Sequence, residues 1–295
     1  MCRLFGFRSA VPSLAHRSLV AARNSLAEQA REHQHGWGIG SYHNYQPRVV
    51  KAITPASDCT HFRNNCREIA SQTFVVHVRK ATVGGVCPEN LHPFVFGRWM
   101  FAHNGTLHAF PQLRERLIAA GTGAPLVGGT DSEVLFHYLL QAMADGGISP
   151  LGEGNVDVLA LGELLREALA EVDALIAGEG AAPSSMNFLL TNGRVFVGNR
   201  HGRELWFSTQ KAFCRDAATC PEREKPCLLR ERPHDRVNHL LVASERIGDE
   251  DIWEEVPEGG MVLLSEDFRL RQSLGANPHQ IVAQNRREPV LSLSL

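Results

Sequence analysis

Cys2-Arg3-Leu4-Phe5-Gly6-Phe7-Arg8 follows directly on Met1. It alternates apolar with other residues, the period-two pattern of a strand. A thiol at this position carries a chemical consequence. Ordinary removal of Met1 would leave a free α-amine on Cys2. A free Cys titrates near ~8.5 and needs a base to act as a nucleophile, whereas an α-amine titrates at roughly 7.7–8 and is partly unprotonated at neutral pH. Nucleophile and base then share one residue, with a water to relay the proton. The other reading of the same stretch is a small residue packed in a strand. No charged stretch, apolar run and small-residue cleavage site open the chain, so a secretory leader is not expected.

Outward from this strand, Ser13 is expected to cap a helical run through Leu14, Leu19, Ala22, Leu26 and Ala30. Residues 36–42 and 48–53 read as strands joined by a polar turn, and 58–70 as a short helix. Two β-branched or aromatic stretches, 73–79 and 94–103, read as further strands. Helices then dominate: 110–120, a run opened by the capping-box sequence Thr130-Asp131-Ser132-Glu133, and a long Leu/Ala/Glu-rich segment over 156–177. Strands return at 186–191, 194–198, 204–208, 237–243 and 261–264. Regular strand–helix–strand alternation is missing, so the order points to antiparallel sheets layered with helices, an α+β fold. No repeat of 20–50 residues is visible. Gly178 to Ser185 is the one internal linker candidate, but the strands after it can pair with the first set. Residues 2–273 are therefore expected to form a single domain, with 274–295 as a C-terminal tail.

The chain has 295 residues, 43% hydrophobic and 21% charged, with a formal net charge of -2. That balance supplies no basic footprint for nucleic acid and no polybasic anchor for lipid. No apolar run approaches the ~18 residues of a spanning helix, so no membrane partner is expected. Seven scattered cysteines point to a reducing, cytoplasmic compartment rather than a disulfide scaffold. Cys214, Cys220 and Cys227 are spaced too widely for a zinc knuckle. The Arg-rich stretch Arg223 to Arg236 mixes in acids and reads as a solvated loop. Although 14 His are present, there is no HExxH and no tight Cys/His quartet, so neither metal nor cofactor is expected.

Four further stretches carry side chains suited to chemistry. Phe101-Ala102-His103-Asn104-Gly105-Thr106-Leu107 ends an apolar strand in an Asn-Gly pair. Such a pair can aim a side-chain amide and a backbone N–H at one oxyanion, and it is equally the commonest signal of a hairpin turn. His77-Val78-Arg79-Lys80-Ala81-Thr82 places a guanidinium at a strand end, where it suits a substrate carboxylate or simply reaches solvent. Asp131, at a helix start, can take a substrate ammonium or serve as an ordinary capping acid. Trp37 can line a pocket or pack in the core.

Together the ordered blocks resemble the class II (N-terminal nucleophile) glutamine amidotransferases. In chain order they are Cys2, Gly36-Trp37-Gly38-Ile39-Gly40, His77 to Thr82, Asn90-Leu91-His92-Pro93, Phe101 to Gly105, and Gly129-Thr130-Asp131-Ser132-Glu133. The resemblance is close from Cys2 to Leu140 and looser from Asn187 to Leu264. It implies a four-layer αββα sandwich and hydrolysis of a glutamine or γ-glutamyl amide through a glutamyl thioester on Cys2. Asn104 and Gly105 would hold the oxyanion and Arg79 the α-carboxylate. Asp131 would take the α-ammonium, Thr82 would assist, and Trp37 and His92 would line the substrate site. With no phosphosugar, phosphoribosyl or adenylating module visible, the chain resembles the stand-alone branch, similar to γ-glutamyl hydrolases of ergothioneine biosynthesis and glutathione breakdown. The substrate is then a small molecule with a glutamyl end. Two alternatives stand beside it: a glutaminase subunit passing ammonia to a separate accepting enzyme, and an inactive binding module on the same fold. One departure is visible, since that branch usually places an Asp before Gly-Trp-Gly and this chain has His35.

Overall fold

Along β1 (Arg3–Leu14) successive side chains enter different cores, as a strand between two packed layers requires. Leu4 lies in a cluster with residues of both sheets, and Phe5 in one with the N-terminal helices. The computed structural model describes residues 2–108, 110–119, 126–152, 154–213, 236–273 and 281–282. Met1, Cys214, Cys220, Cys227 and all of the Arg-rich stretch except Arg236 lie outside the described residues, as does the tail apart from 281–282.

Two seven-stranded antiparallel sheets stack face to face. In the first, β1 is central, flanked by β10 (His239–Ala243) and β4 (Ala70–Val78). Outward on one side lie β9 (Trp206–Lys211) and β11 (Asp251–Glu255), and on the other β2 (Trp37–His43) and β3 (Gln46–Ala52). The second sheet runs β14 (Ile281–Val282), β13 (Leu270–Ser273), β12 (Met261–Leu264), β8 (Phe196–Asn199), β7 (Ser185–Thr191), β6 (Trp99–Thr106), β5 (Phe94–Phe96). Short α1 (Leu26–Gln29) and α2 (Thr60–Glu68) cover the first sheet; α4 (Asp131–Asp145) and α5 (Val158–Gly178) cover the second. A third helix, α3 (Phe110–Ala119), packs beside α4. One apolar cluster lies under each helical layer and a third between the sheets. This is the expected αββα sandwich.

Several local expectations are corrected. Ser13 does not cap a helix, because β1 continues to Leu14 past an irregularity between Arg8 and Ser13. Pro12 in that interval has no N–H to give the ladder, and the Ser13 hydroxyl donates to the Val11 carbonyl (3.2 Å). The expected helix instead breaks into a wide turn over Arg17–Ala21 and the four residues of α1. Asn24 separates them, its side chain donating to the Arg246 carbonyl at 2.9 Å. Leu19, Leu26 and Ala30 nevertheless share one core, so the apolar pattern was a true burial signal on a broken element. The stretch 94–103 is a hairpin of β5 and β6 that turns at Gly97, where φ is +57°. Asn104-Gly105 is not a turn, because β6 runs on to Thr106 and pairs with β7 at both residues. Strands β11 and β13 were not anticipated. Within the expected tail, Ile281–Val282 pairs with β13.

Candidate active site

Cys2 immediately precedes β1, and its Sγ rests on the backbone of Lys80. The Lys80 N–H donates to the sulfur at 3.3 Å, and the thiol faces the Lys80 carbonyl at 3.5 Å. Antiparallel register explains the encounter, since Arg3 pairs with Val78 and the neighbouring residues therefore meet at the strand ends. Burial pushes the Cys2 thiol up, while the Lys80 N–H and the Arg79 guanidinium pull it back down.

Arg79 follows β4 and is itself buried. Its guanidinium donates to the carbonyls of Gly85 (2.8 Å), Val83 (2.9 Å) and Gly84 (3.3 Å), so it organises the loop that follows it. Desolvation lowers its pKa, and the nearby Cys2, Cys87 and Asp131 oppose that shift. Asn90 is a strut between two loops. Its Nδ2 donates to the Gly85 carbonyl, and its Oδ1 accepts the Gly129 N–H, both at 3.0 Å. Thr82 is exposed on the same loop as Gly85.

Asp131 begins α4 and is buried. Its carboxylate accepts the N–H of Leu107 (2.8 Å) at the end of β6 and that of Ser132 (2.9 Å). The expected capping box is half formed. Thr130 Oγ1 accepts the Glu133 N–H, but the Glu133 carboxylate takes the N–H groups of Val127 and Gly128 instead of returning to Thr130.

Asn104 and Gly105 lie on β6, at the end nearest Leu107. Gly105 cannot carry a side chain, because a Cβ there would overlap the Ser185 carbonyl and crowd the His103 ring. His103 donates from Nε2 to that carbonyl (3.1 Å), and its Nδ1 meets the Ser132 hydroxyl (2.9 Å). The Asn104 side-chain amide donates to Ser244 Oγ at 3.3 Å, and the Leu4 N–H donates to the same oxygen at 2.9 Å.

The fold therefore brings Cys2, Arg79 and Asp131 within electrostatic reach of one another, and ties Asn104 to the strand that carries Cys2. His92 is buried with its ring 4.2 Å from that of His77 and lies within electrostatic reach of Arg79. Burial holds both rings neutral: His77 is pushed down to about 3, and His92 falls well below the usual imidazole range. Trp37 is not brought to this group. It packs edge-on to Phe62 (5.1 Å) in the core beneath α1 and α2, because adjacent strand residues face opposite sides and its neighbour Gly38 faces the His92 carbonyl.

His35, the departure from the expected Asp, has a defined place. Its Nδ1 accepts the Ala81 N–H at 2.8 Å, and its own N–H donates to the Arg79 carbonyl at 3.0 Å. Ser244 and Asn90 were not singled out from sequence as site residues. A lone hydroxyl after a strand has no periodicity to reveal it, whereas Asn90 stood in a motif block whose geometry was invisible. Among the described residues, no group of three or more His, Cys, Asp or Glu side chains is placed to hold a metal ion, and no helix is long and apolar enough to cross a membrane.

The sequence model of the class-II glutamine amidotransferases matches residues 1–287. A Haemophilus influenzae protein named as a glutamine amidotransferase is 24% identical over 284 residues, covering 93% of this chain and 88% of its own. The gamma-glutamyl-hercynylcysteine sulfoxide hydrolase of Mycobacterium tuberculosis is 23% identical over 275 residues, covering 90% of this chain and 94% of its own. Among solved structures, the glutamine phosphoribosylpyrophosphate amidotransferase of B. subtilis superposes with a TM-score of 0.60 at 18% identity. The match covers 95% of this chain and 50% of that one, a likeness of fold.

Proposed function

The chain belongs to the class-II glutamine amidotransferases, and from that membership we propose that it hydrolyses a γ-glutamyl amide with Cys2 as its N-terminal nucleophile. Removal of Met1 frees the Cys2 α-amine, which takes the thiol proton through a water. The sulfur then bonds to the amide carbon, and the carbonyl oxygen becomes an oxyanion. The Asn104 side chain and the Gly105 N–H donate to that oxygen. Collapse breaks the C–N bond, the amine leaves with the relayed proton, and a glutamyl thioester remains. Water, deprotonated by the same α-amine, attacks the thioester, releasing glutamate and restoring the thiol.

A glutamyl end carries one carboxylate and one ammonium, and it needs one fixed cation and one fixed anion. Arg79 supplies the first and Asp131 the second, with Thr82 at the loop edge. The observation that carries the proposal is the seat of Cys2 Sγ, 3.3 Å from the Lys80 N–H next to Arg79, with the Arg79 and Asp131 charges within electrostatic reach of the thiol. The stand-alone relative whose name specifies a γ-glutamyl substrate, matched over 94% of its own length, favours a γ-glutamyl metabolite over ammonia delivery to a partner. Residues 2–273 then supply the amidotransferase domain, and the segment 274–295 adds to it the edge strand Ile281–Val282.

The test is hydrolysis by the isolated protein of glutamine and of γ-glutamyl peptides, with Cys2→Ala alongside. Expected are faster turnover of the peptides and loss of activity by about a thousandfold or more in Cys2→Ala. Hydrolysis that survives Cys2→Ala overturns the nucleophile. Turnover of glutamine alone, raised by an added synthase, transfers the assignment to an ammonia-supplying subunit.

A further inference from the structure

The geometry points to Ser244 as a positioning residue that fixes the oxyanion-binding amide of Asn104 relative to the nucleophile's strand. The inference rests on the function proposed above. Ser244 follows the last residue of β10 and is 6% exposed. Its backbone N–H donates to the Leu4 carbonyl at 3.1 Å, and its Oγ accepts the Leu4 N–H at 2.9 Å. One residue thus holds both polar backbone groups of Leu4, two positions from Cys2. The same Oγ accepts the Asn104 amide at 3.3 Å from the opposite sheet.

That third bond does more than satisfy a buried group. A carboxamide has two N–H donors on one planar nitrogen. Directing one at a fixed oxygen sets the rotation of the plane and so aims the other. Among the described residues, the bond to Ser244 Oγ is the one that sets the rotation of the Asn104 side chain, itself 4% exposed; without it the second donor leaves the position where the oxyanion forms. Preorganised donors are effective because they need no reorientation as charge develops. The same oxygen bonds the strand bearing Cys2, so the distance between attacking sulfur and oxyanion donor is referred to a single atom across the sheet interface. A serine serves here because its hydroxyl offers two acceptor lone pairs in the volume of one heavy atom.

The test is a double-mutant cycle on γ-glutamyl peptide hydrolysis with Ser244→Cys, Ser244→Thr, Asn104→Ala and the Ser244→Cys/Asn104→Ala double variant. Ser244→Cys keeps the shape and replaces the oxygen with a weak acceptor. It is expected to lower kcat about tenfold with KM within about twofold. Ser244→Thr keeps the oxygen and should recover kcat to within about threefold of wild type. Asn104→Ala should lower kcat about a hundredfold or more, and adding Ser244→Cys to it should cost less than about twofold further. A merely structural role predicts that the two losses multiply in the double variant and that KM rises; either result overturns the inference. A Ser244→Cys variant as fast as wild type also overturns it, while the loss in Asn104→Ala leaves the proposed function standing. If Cys2→Ala retains wild-type hydrolysis, the proposed function fails, and the inference with it.

Discussion

The Sγ of Cys2 lies 3.3 Å from the backbone nitrogen of Lys80, the residue that follows Arg79. The sulfur is thus seated on the strand end that presents the guanidinium, and one β-ladder register places both. Whatever moves the Arg79–Ala81 segment moves the seat of the proposed nucleophile and the proposed carboxylate clamp together.

His35 holds that segment by accepting the Ala81 N–H. An acceptor is what the position requires, and a carboxylate supplies one as an imidazole does. His35→Asp is therefore expected to keep kcat/KM within about fivefold of wild type. His35→Phe, similar in size with no acceptor, should lower it about tenfold, in line with one lost hydrogen bond. Steady-state kinetics of the two variants decide it, and equal losses would show that the bond does not matter.

Arg79 is bonded to three carbonyls of its own loop. A lysine cannot reproduce that fork, although it keeps the charge. Arg79→Lys should raise KM for a γ-glutamyl peptide about ten- to a hundredfold, corresponding to ~1.5–3 kcal/mol for charge-assisted bonds. Limited proteolysis should also cut earlier within 80–87. An unchanged KM would remove Arg79 from substrate binding.

Gly105 has no room for a methyl group against the Ser185 carbonyl, which is fixed by the β6–β7 ladder. Gly105→Ala must push the strands apart and is expected to cost about 1–3 kcal/mol or more, read as a lower urea midpoint. Hydrolysis by the fraction that still folds should fall further than stability does, because the Gly105 N–H moves with the strand.

The paired rings of His77 and His92 set an acid limit on stability. Both pKa values are lower in the fold than in the unfolded chain, where imidazole titrates near ~6.5. Below that pH the unfolded chain takes up protons that the fold refuses, so stability falls as pH falls. For His77 the loss runs from about 6.5 down to about 3, with a slope approaching ~1.4 kcal/mol per pH unit for each ring. Burial is the chief cause for both rings; the charges of Arg79, His103 and His33 add to it at His77, and those of His77, His103, Lys51 and Arg79 add to it at His92. Urea midpoints measured across this range should drop less steeply in His77→Leu. An unchanged slope would show that His77 is not the proton acceptor.

The sequence made the strand residues legible where one physical pattern governs them. The alternation around Phe5, the β-branched run at Val75–Val78 and the apolar stretch at Met261–Leu264 all appear as strands. Patterning failed where side-chain hydrogen bonds redirect the backbone, as at Ser13 and Asn24. At Asn104-Gly105 the sequence leaves a strand end and a turn both open, and seven residues of ladder pairing with β7 decide for the strand. Of the candidate site, Cys2, Arg79, Asp131 and Asn104-Gly105 were visible because each stands in a compact motif. Trp37 stood in one too, but strand parity turns it into the core beneath the helices. Ser244 belongs to no local pattern, because its role comes from two strands meeting across the sheets.

Cys2, freed of Met1, is the proposed nucleophile on which every step above depends. Intact-mass measurement of the purified protein, followed by mapping of the site alkylated by a diazoketone analogue of glutamine, tests it most directly. Expected are a mass lacking Met1 and a single adduct on Cys2, with none on Cys59, Cys66 or Cys87, the other free thiols among the described residues. Retention of Met1 in protein that hydrolyses γ-glutamyl peptides, or an inactivating adduct on any other residue, would contradict it.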